Sequence, residues 1–165
     1  MQFRKATILD IPTIQAIAEE TWRPTYSHIL TEEQTLYMLD LMYHSEILQK
    51  QIEGNVSFYL VEEEGVTLGY VGFEAISEEV VKLHKIYFRP DQKKKGAGRF
   101  AIDFVKEQSK LMGAQFIELN VNKYNSAVHF YLKMGFTISQ EMELDIGRGY
   151  IMDDYVMRVD LKSVQ

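Results

Sequence analysis

The chain reads as an α/β protein, a sheet flanked by helices. Two observations predict this. Apolar residues recur at helical spacing through residues 11–53, and from residue 57 the pattern changes to strand-length apolar runs. Those strands come first as a group of three, then alternate with two helices, and two more strands close the chain. With 165 residues and 46% hydrophobic content, one compact domain over residues 1–165 with a substantial core is expected.

A short strand starts at Phe3. Asp10 is placed to cap a helix, Pro12 suits its first turn, and Ile11, Ile14, Ile17 and Ala18 form its apolar stripe to about Thr21. Pro24 predicts that residues 22–29 leave the helix as a loop. The capping-box pattern Thr31-Glu32-Glu33-Gln34 opens a second helix with Leu36, Leu39 and Met42 as its stripe. A third helix spans residues 45–53 and stops at Gly54-Asn55. Strands at 57–61 and 67–76 flank the acidic turn 62–65, and a strand at 80–88 follows the turn 77–79. A helix over 98–112 turns Ala101, Phe104, Val105 and Met112 inward. A strand at 114–121, a helix at 127–134, and strands at 136–144 and 150–161 around the turn 145–149 complete the chain.

Composition removes several classes of function. The absence of cysteine excludes disulfides, thiolate catalysis and Cys-ligated metal centres. The four histidines, His28, His44, His84 and His129, have no ligand spacing, so no metal is expected. A net charge of -6 argues against a nucleic-acid partner, because the basic residues are clustered locally. No apolar run is long enough to span a membrane and the N-terminus lacks a signal-peptide core, so no membrane partner and a cytoplasmic location are expected.

The basic cluster lies where the strand at 80–88 meets the following helix. Arg89, Lys93, Lys94, Lys95 and Arg99 crowd this junction against Asp91 alone. A helix start carries unpaired N–H groups and partial positive charge, and Gly96 and Gly98 let a ligand approach that backbone. This combination predicts a phosphate or pyrophosphate site. It is not a Walker loop, for which Gly96 lacks the required continuation, nor a dinucleotide fingerprint, for which Ala101 stands where a third glycine belongs.

Lys93-Lys94-Lys95-Gly96-Ala97-Gly98 resembles the acetyl-CoA loop of the GNAT family of N-acetyltransferases, Arg/Gln-x-x-Gly-x-Gly/Ala, with Lys93 replacing the first residue. Tyr131-Leu132-Lys133-Met134-Gly135-Phe136 resembles the family's second hallmark, in which a strand, an Asn and a short helix lead to Tyr-x-x-x-Gly-Phe. The usual interval from that Asn to the Tyr is one residue longer than the interval from Asn125 to Tyr131. The element order resembles this family's fold over nearly the whole chain, which implies a mixed sheet of about seven strands.

The resemblance implies acetyl-CoA as co-substrate and a primary amine as acceptor, either a small amine such as a polyamine or an amino group of a peptide or protein. Backbone at Ile86, Tyr87 and Phe88 is expected to pair with the pantetheine arm. Amides from Lys93, Lys94, Lys95, Gly96, Ala97, Gly98 and Arg99 would hold the pyrophosphate, with Asn125 as a further cofactor contact and Lys133 either another such contact or an exposed helix lysine. Tyr131 is the expected acid for the departing thiolate, although core packing would also suit a tyrosine there. His84 is the candidate base, with partial burial as a structural histidine as its alternative. Glu118 and Asn120 could act in its place through water. Trp22 and Tyr26 are candidate acceptor-pocket rings, alongside an ordinary packing role, and Asp145, Asp153 and Asp154 could attract a cationic acceptor or simply sit in turns or on a solvated edge. The opening aromatic loop and the strand at 149–154 look similar to those of polyamine-type bacterial members. Edge pairing in this fold leaves a homodimer open. A CoA-binding sensor on the same fold, with a vestigial site, is the alternative that Lys93 and the short Asn125 turn favour.

Overall fold

The computed structural model describes residues 1–92 and 96–162. Its elements are β1 (Gln2–Lys5), α1 (Ile11–Tyr26), α2 (Glu32–Tyr43), α3 (Ser45–Glu53), β2 (Ser57–Glu63), β3 (Val66–Ala75), β4 (Val80–Phe88), α4 (Ala97–Leu111), β5 (Phe116–Asn122), α5 (Ala127–Lys133), β6 (Thr137–Gly147) and β7 (Tyr150–Asp160). The seven strands form a mixed sheet in the order β1-β2-β3-β4-β5-β7-β6. No helix among the described residues is long and apolar enough to cross a membrane.

The chain divides into two compact units, Met1–Glu74 with Lys85–Ala101, and Ala75–His84 with Ile102–Gln165. In the first, β1, β2 and β3 are antiparallel neighbours. Glu64 (φ 51°) and Gly65 (φ 78°) form the two-residue turn between β2 and β3, both in the left-handed region that a tight hairpin requires. Ile14, Ile17 and Ala18 from α1, Met38 from α2, Leu48 from α3, and Phe58, Tyr70 and Phe73 from the strands are all buried in its core.

Four features of this unit depart from expectation. Helix α1 does not stop at Thr21 but runs through Pro24 to Tyr26. Proline removes one N–H, whereas continuing the helix buries Trp22 and Tyr26 one turn apart, with ring centroids 4.7 Å apart. Asp10 makes no side-chain cap for α1. It is the far end of a capping box on the preceding 3-10 turn: the Thr7 amide donates to its carboxylate at 2.9 Å, and Arg4 pairs with it at 3.0 Å. The inward positions of α2 are Thr35, Met38 and Tyr43, whereas Leu36 is exposed. Thr31 does cap that helix, accepting from the Gln34 amide at 3.1 Å. The fourth departure is at Arg89, whose guanidinium donates to Glu20 at 2.6 Å and to the Thr67 carbonyl at 3.1 Å. It is therefore anchored within the unit.

In the second unit β4 and β5 are parallel from Val80↔Phe116 to Leu83↔Leu119, β5 pairs antiparallel with β7, and β7 with β6. Arg148 (φ 54°) and Gly149 (φ 79°) make the turn between β6 and β7, so β6 extends to Gly147, past the expected end at 144. Ile102, Val105, Ile117, Leu119, Val156 and Met157 are buried. Met112, expected to face inward from α4, lies beyond the helix end and is exposed.

Candidate active site

β4 delivers the chain to the glycine loop. Val81, Leu83 and Lys85 are buried in alternation along β4, after which burial passes to Phe88. This interruption of the two-residue period means that His84, Ile86 and Phe88 do not share one environment: they are exposed, half-buried and buried respectively. Gly69 on β3 explains the tight fit here, because a Cβ on it would lie 2.2 Å from the Tyr87 carbonyl oxygen and 2.9 Å from the Phe88 Cα.

Lys93, Lys94 and Lys95 lie outside the described residues. Gly96 follows with φ 92°, and no described residue lies within 4 Å of where a Cβ would stand. Helix α4 then begins at Ala97, and the Phe100 amide donates to the Gly96 carbonyl at 2.9 Å. The amides of Ala97, Gly98 and Arg99 therefore belong to the turn without intrahelical acceptors, the arrangement suited to an anion. Ala97 is buried, Gly98 half-buried and Arg99 exposed.

Trp22 and Tyr26 sit within an aromatic cluster of the first unit. The Trp22 ring lies 6.1 Å from Tyr43 and 6.3 Å from Tyr87, and Tyr87 lies 5.9 Å from Tyr70. The Tyr70 hydroxyl donates to the Tyr43 hydroxyl at 2.6 Å. Burial, together with neighbouring phenols, holds both hydroxyls well above the ordinary phenol range, so they stay protonated.

Lys85 was not legible as a special residue. It is 8% exposed, its ammonium 4.9 Å from the Tyr43 ring centroid and 5.6 Å from that of Phe58, and it donates to Gln51 Oε1 at 3.4 Å. Burial lowers its pKa from 10.5 to about 8. The charged form therefore costs stability below pH 8, and the cost vanishes as pH rises toward 10.5. That displacement corresponds to about 3 kcal/mol, of which the two ring faces offset about 1–2 kcal/mol. Lys85→Met is expected to raise stability at pH 7 by about 1–2 kcal/mol, a gain that shrinks toward pH 10.5. Urea melts at the two pH values measure it, and an unchanged or lowered midpoint at pH 7 contradicts it.

In the second unit, the Tyr131 motif is a helix terminus. The Phe136 amide donates to the Tyr131 carbonyl at 3.0 Å and the Gly135 amide to Leu132 at 3.1 Å. Gly135 has φ 96°, and the Phe136 ring packs against that of Tyr131 at 5.7 Å. This is a Schellman motif with its hydrophobic contact, which explains the residue types Tyr-x-x-x-Gly-Phe. Tyr131 is 8% exposed and Phe136 1%. At the other end of α5, Asn125 Oδ1 accepts from the Ala127 amide at 2.8 Å, so its side chain shapes the turn into the helix. Lys133 and His129 are exposed.

The sheet of this unit carries a polar face. The β5–β7 register sets Glu118 opposite Arg158, Asn120 opposite Val156 and Asn122 opposite Asp154, while β4 sets Lys82 beside Glu118. Glu118 pairs with Arg158 at 2.9 Å and with Lys82 at 3.7 Å, and Lys82 also donates to Asn120. Glu118 and Asn120 are thus engaged in this network. His84 is exposed, two residues beyond Lys82 on the same strand. Asp154 is 5% exposed, and its Oδ1 is sealed from solvent with no hydrogen-bond partner among the described residues. Burial, reinforced by Asp153 and opposed by Lys82, pushes its carboxyl up to about 6. No group of metal-ligating side chains occurs among the described residues.

The sheet order and the element order are those of an acetyltransferase fold. The Acetyltransferase (GNAT) family profile matches residues 14–136, and the chain belongs to that family. It is 25% identical to the spermidine N(1)-acetyltransferase of Thermoplasma acidophilum over 144 residues, 84% of this chain and 89% of that relative. The crystal structure of PaiA N-acetyltransferase from Thermoplasma acidophilum in complex with coenzyme A is similar with a TM-score of 0.82 at 24% identity, covering 96% of this chain and 98% of that one. A GNAT-family structure from Rhodopseudomonas palustris also reaches 0.82, at 17% identity, covering 96% and 94% of the two chains.

Proposed function

We propose that this protein transfers the acetyl group of acetyl-CoA to a primary amine by direct attack. The reading rests above all on the glycine-led start of α4 behind β4, where Gly96 takes φ 92° and the amides of Ala97, Gly98 and Arg99 lack intrahelical acceptors. These amides hold the pyrophosphate, and backbone at Ile86, Tyr87 and Phe88 pairs with the pantetheine arm. The neutral amine attacks the thioester carbonyl, the carbon–sulfur bond breaks, and Tyr131 donates the proton that the thiolate takes up. His84, exposed on β4, can receive a proton from the amine. The name of the Thermoplasma relative makes spermidine the first acceptor to test.

Thiol release from acetyl-CoA across polyamines, amino acids, aminoglycosides and peptides, each against a no-amine control, tests this reading. Saturable release with one amine class is the expected result. Acetyl-CoA binding without release for any amine would overturn it in favour of a CoA sensor.

A further inference from the structure

Asp154 has no role in the proposal above, yet its surroundings are those of a working group. It lies on β7 opposite Asn122, two residues beyond the Asn120↔Val156 rung and past the level where the β4–β5 register ends at Leu83↔Leu119. Glu118 pairs with Arg158 and Lys82, and Lys82 also donates to Asn120. Asn122 Oδ1 accepts from the Tyr124 amide at 2.9 Å, and Asn120 Nδ2 donates to Met142 Sδ at 3.5 Å. Asp154 Oδ1, like Arg158 Nε, is closed off from solvent with no hydrogen-bond partner among the described residues. A buried carboxylate oxygen without a donor is costly, so such a group is retained where an N–H or a proton can reach it. The residue keeps 5% exposure, so it is nearly but not wholly closed.

The neighbouring charges strengthen this reading. Asp153 precedes it on β7 and pairs with Lys123 at 2.8 Å, which also holds Glu141 of β6 at 2.6 Å. Lys82 acts on Asp154 from β4. Desolvation outweighs that cation, leaving a carboxyl with far higher proton affinity than an ordinary aspartate.

We propose that Asp154 is a proton acceptor for the incoming alkylammonium, a further catalytic residue of the acetyl-transfer reaction. This rests on the acetyltransferase reading. The ammonium gives one proton to the Asp154 carboxylate and becomes a neutral amine, leaving Asp154 as a carboxylic acid. The amine lone pair forms the new C–N bond, and the C–S bond breaks with its electrons on sulfur. The proton then shed by nitrogen balances the one that sulfur acquires through Tyr131, and Asp154 returns its own proton to solvent. The net products are amide, CoA thiol and one proton.

The test is the pH dependence of thiol release with spermidine for the full chain, Asp154→Asn, Asp154→Glu and His84→Gln, with circular dichroism to check folding. The wild type is expected to lose activity on acidification with a midpoint near 6, and His84→Gln to keep that midpoint whatever its rate; a limb lost in His84→Gln would belong to His84 and overturn the proposal. Asp154→Asn is expected to lose the limb and about 100-fold in kcat, with little change in KM, and Asp154→Glu to recover part of the rate. If Asp154→Asn keeps the wild-type limb and kcat, or changes only KM, the proposal is overturned while the acetyltransferase reading stands. If Asp154→Asn does not fold, a full-rate Asp154→Glu with an unmoved acid limb overturns it equally. A wild type that releases no thiol with any amine overturns both.

Discussion

Tyr131→Phe is expected to lower the turnover of acetyl transfer about 100-fold or more while leaving affinity for CoA within a few-fold. The substitution keeps the ring, and with it the packing on Phe136 at 5.7 Å and on Phe130 at 5.3 Å that closes α5. The Schellman hydrogen bonds are made by backbone and by Gly135, so the helix terminus survives. Only the phenol is lost, and a phenol with a reference pKa of about 10 is suited to protonate a departing thiolate. Single-turnover thiol release, compared with CoA affinity by calorimetry, separates chemistry from binding. An unchanged rate would remove Tyr131 from the mechanism, and a loss confined to CoA affinity would make it a binding residue.

Gly69→Ala is expected to destabilise the protein by about 3 kcal/mol, lowering the melting temperature by about 6–12 °C. The new Cβ would stand 2.2 Å from the Tyr87 carbonyl oxygen and 2.8 Å from Phe88 Cδ1. The nearest atom is backbone, so relief requires moving β4 itself; a side-chain rotation does not suffice. That movement falls on the residues assigned to the pantetheine arm, so KM for acetyl-CoA is expected to rise together with the loss of stability. Calorimetric melting and acetyl-CoA titration of the same variant check both effects. A variant that melts like the wild type would show that β3 and β4 can separate at little cost.

Much of this was legible because it is local. The Thr31 cap, the glycines at the hairpin and loop turns, and Tyr131 with Gly135 and Phe136 are each decided by residues within one helical turn of one another. The α4 start, expected at residue 98, lies one residue earlier at Ala97. Where expectation failed, distant packing won. Pro24 signals a helix end, yet burial of Trp22 and Tyr26 carries α1 past it. The stripe of α2 shifted from Leu36 to Thr35 and Met38 because neighbouring elements choose the inward face.

The sequence alone determined the family, the order of elements and the position of the hallmark segments, since hydrophobic period, caps and glycine turns act over a few residues. Only the tertiary structure decided the electrostatics. Lys85 reads as a surface lysine until Tyr43, Phe58 and Gln51 come together around it. Asp154 reads as an edge carboxylate until β5 and β7 pair and seal its Oδ1. Desolvation depends on what distant segments exclude from around a charge, and no residue carries that information in its own neighbourhood of the chain.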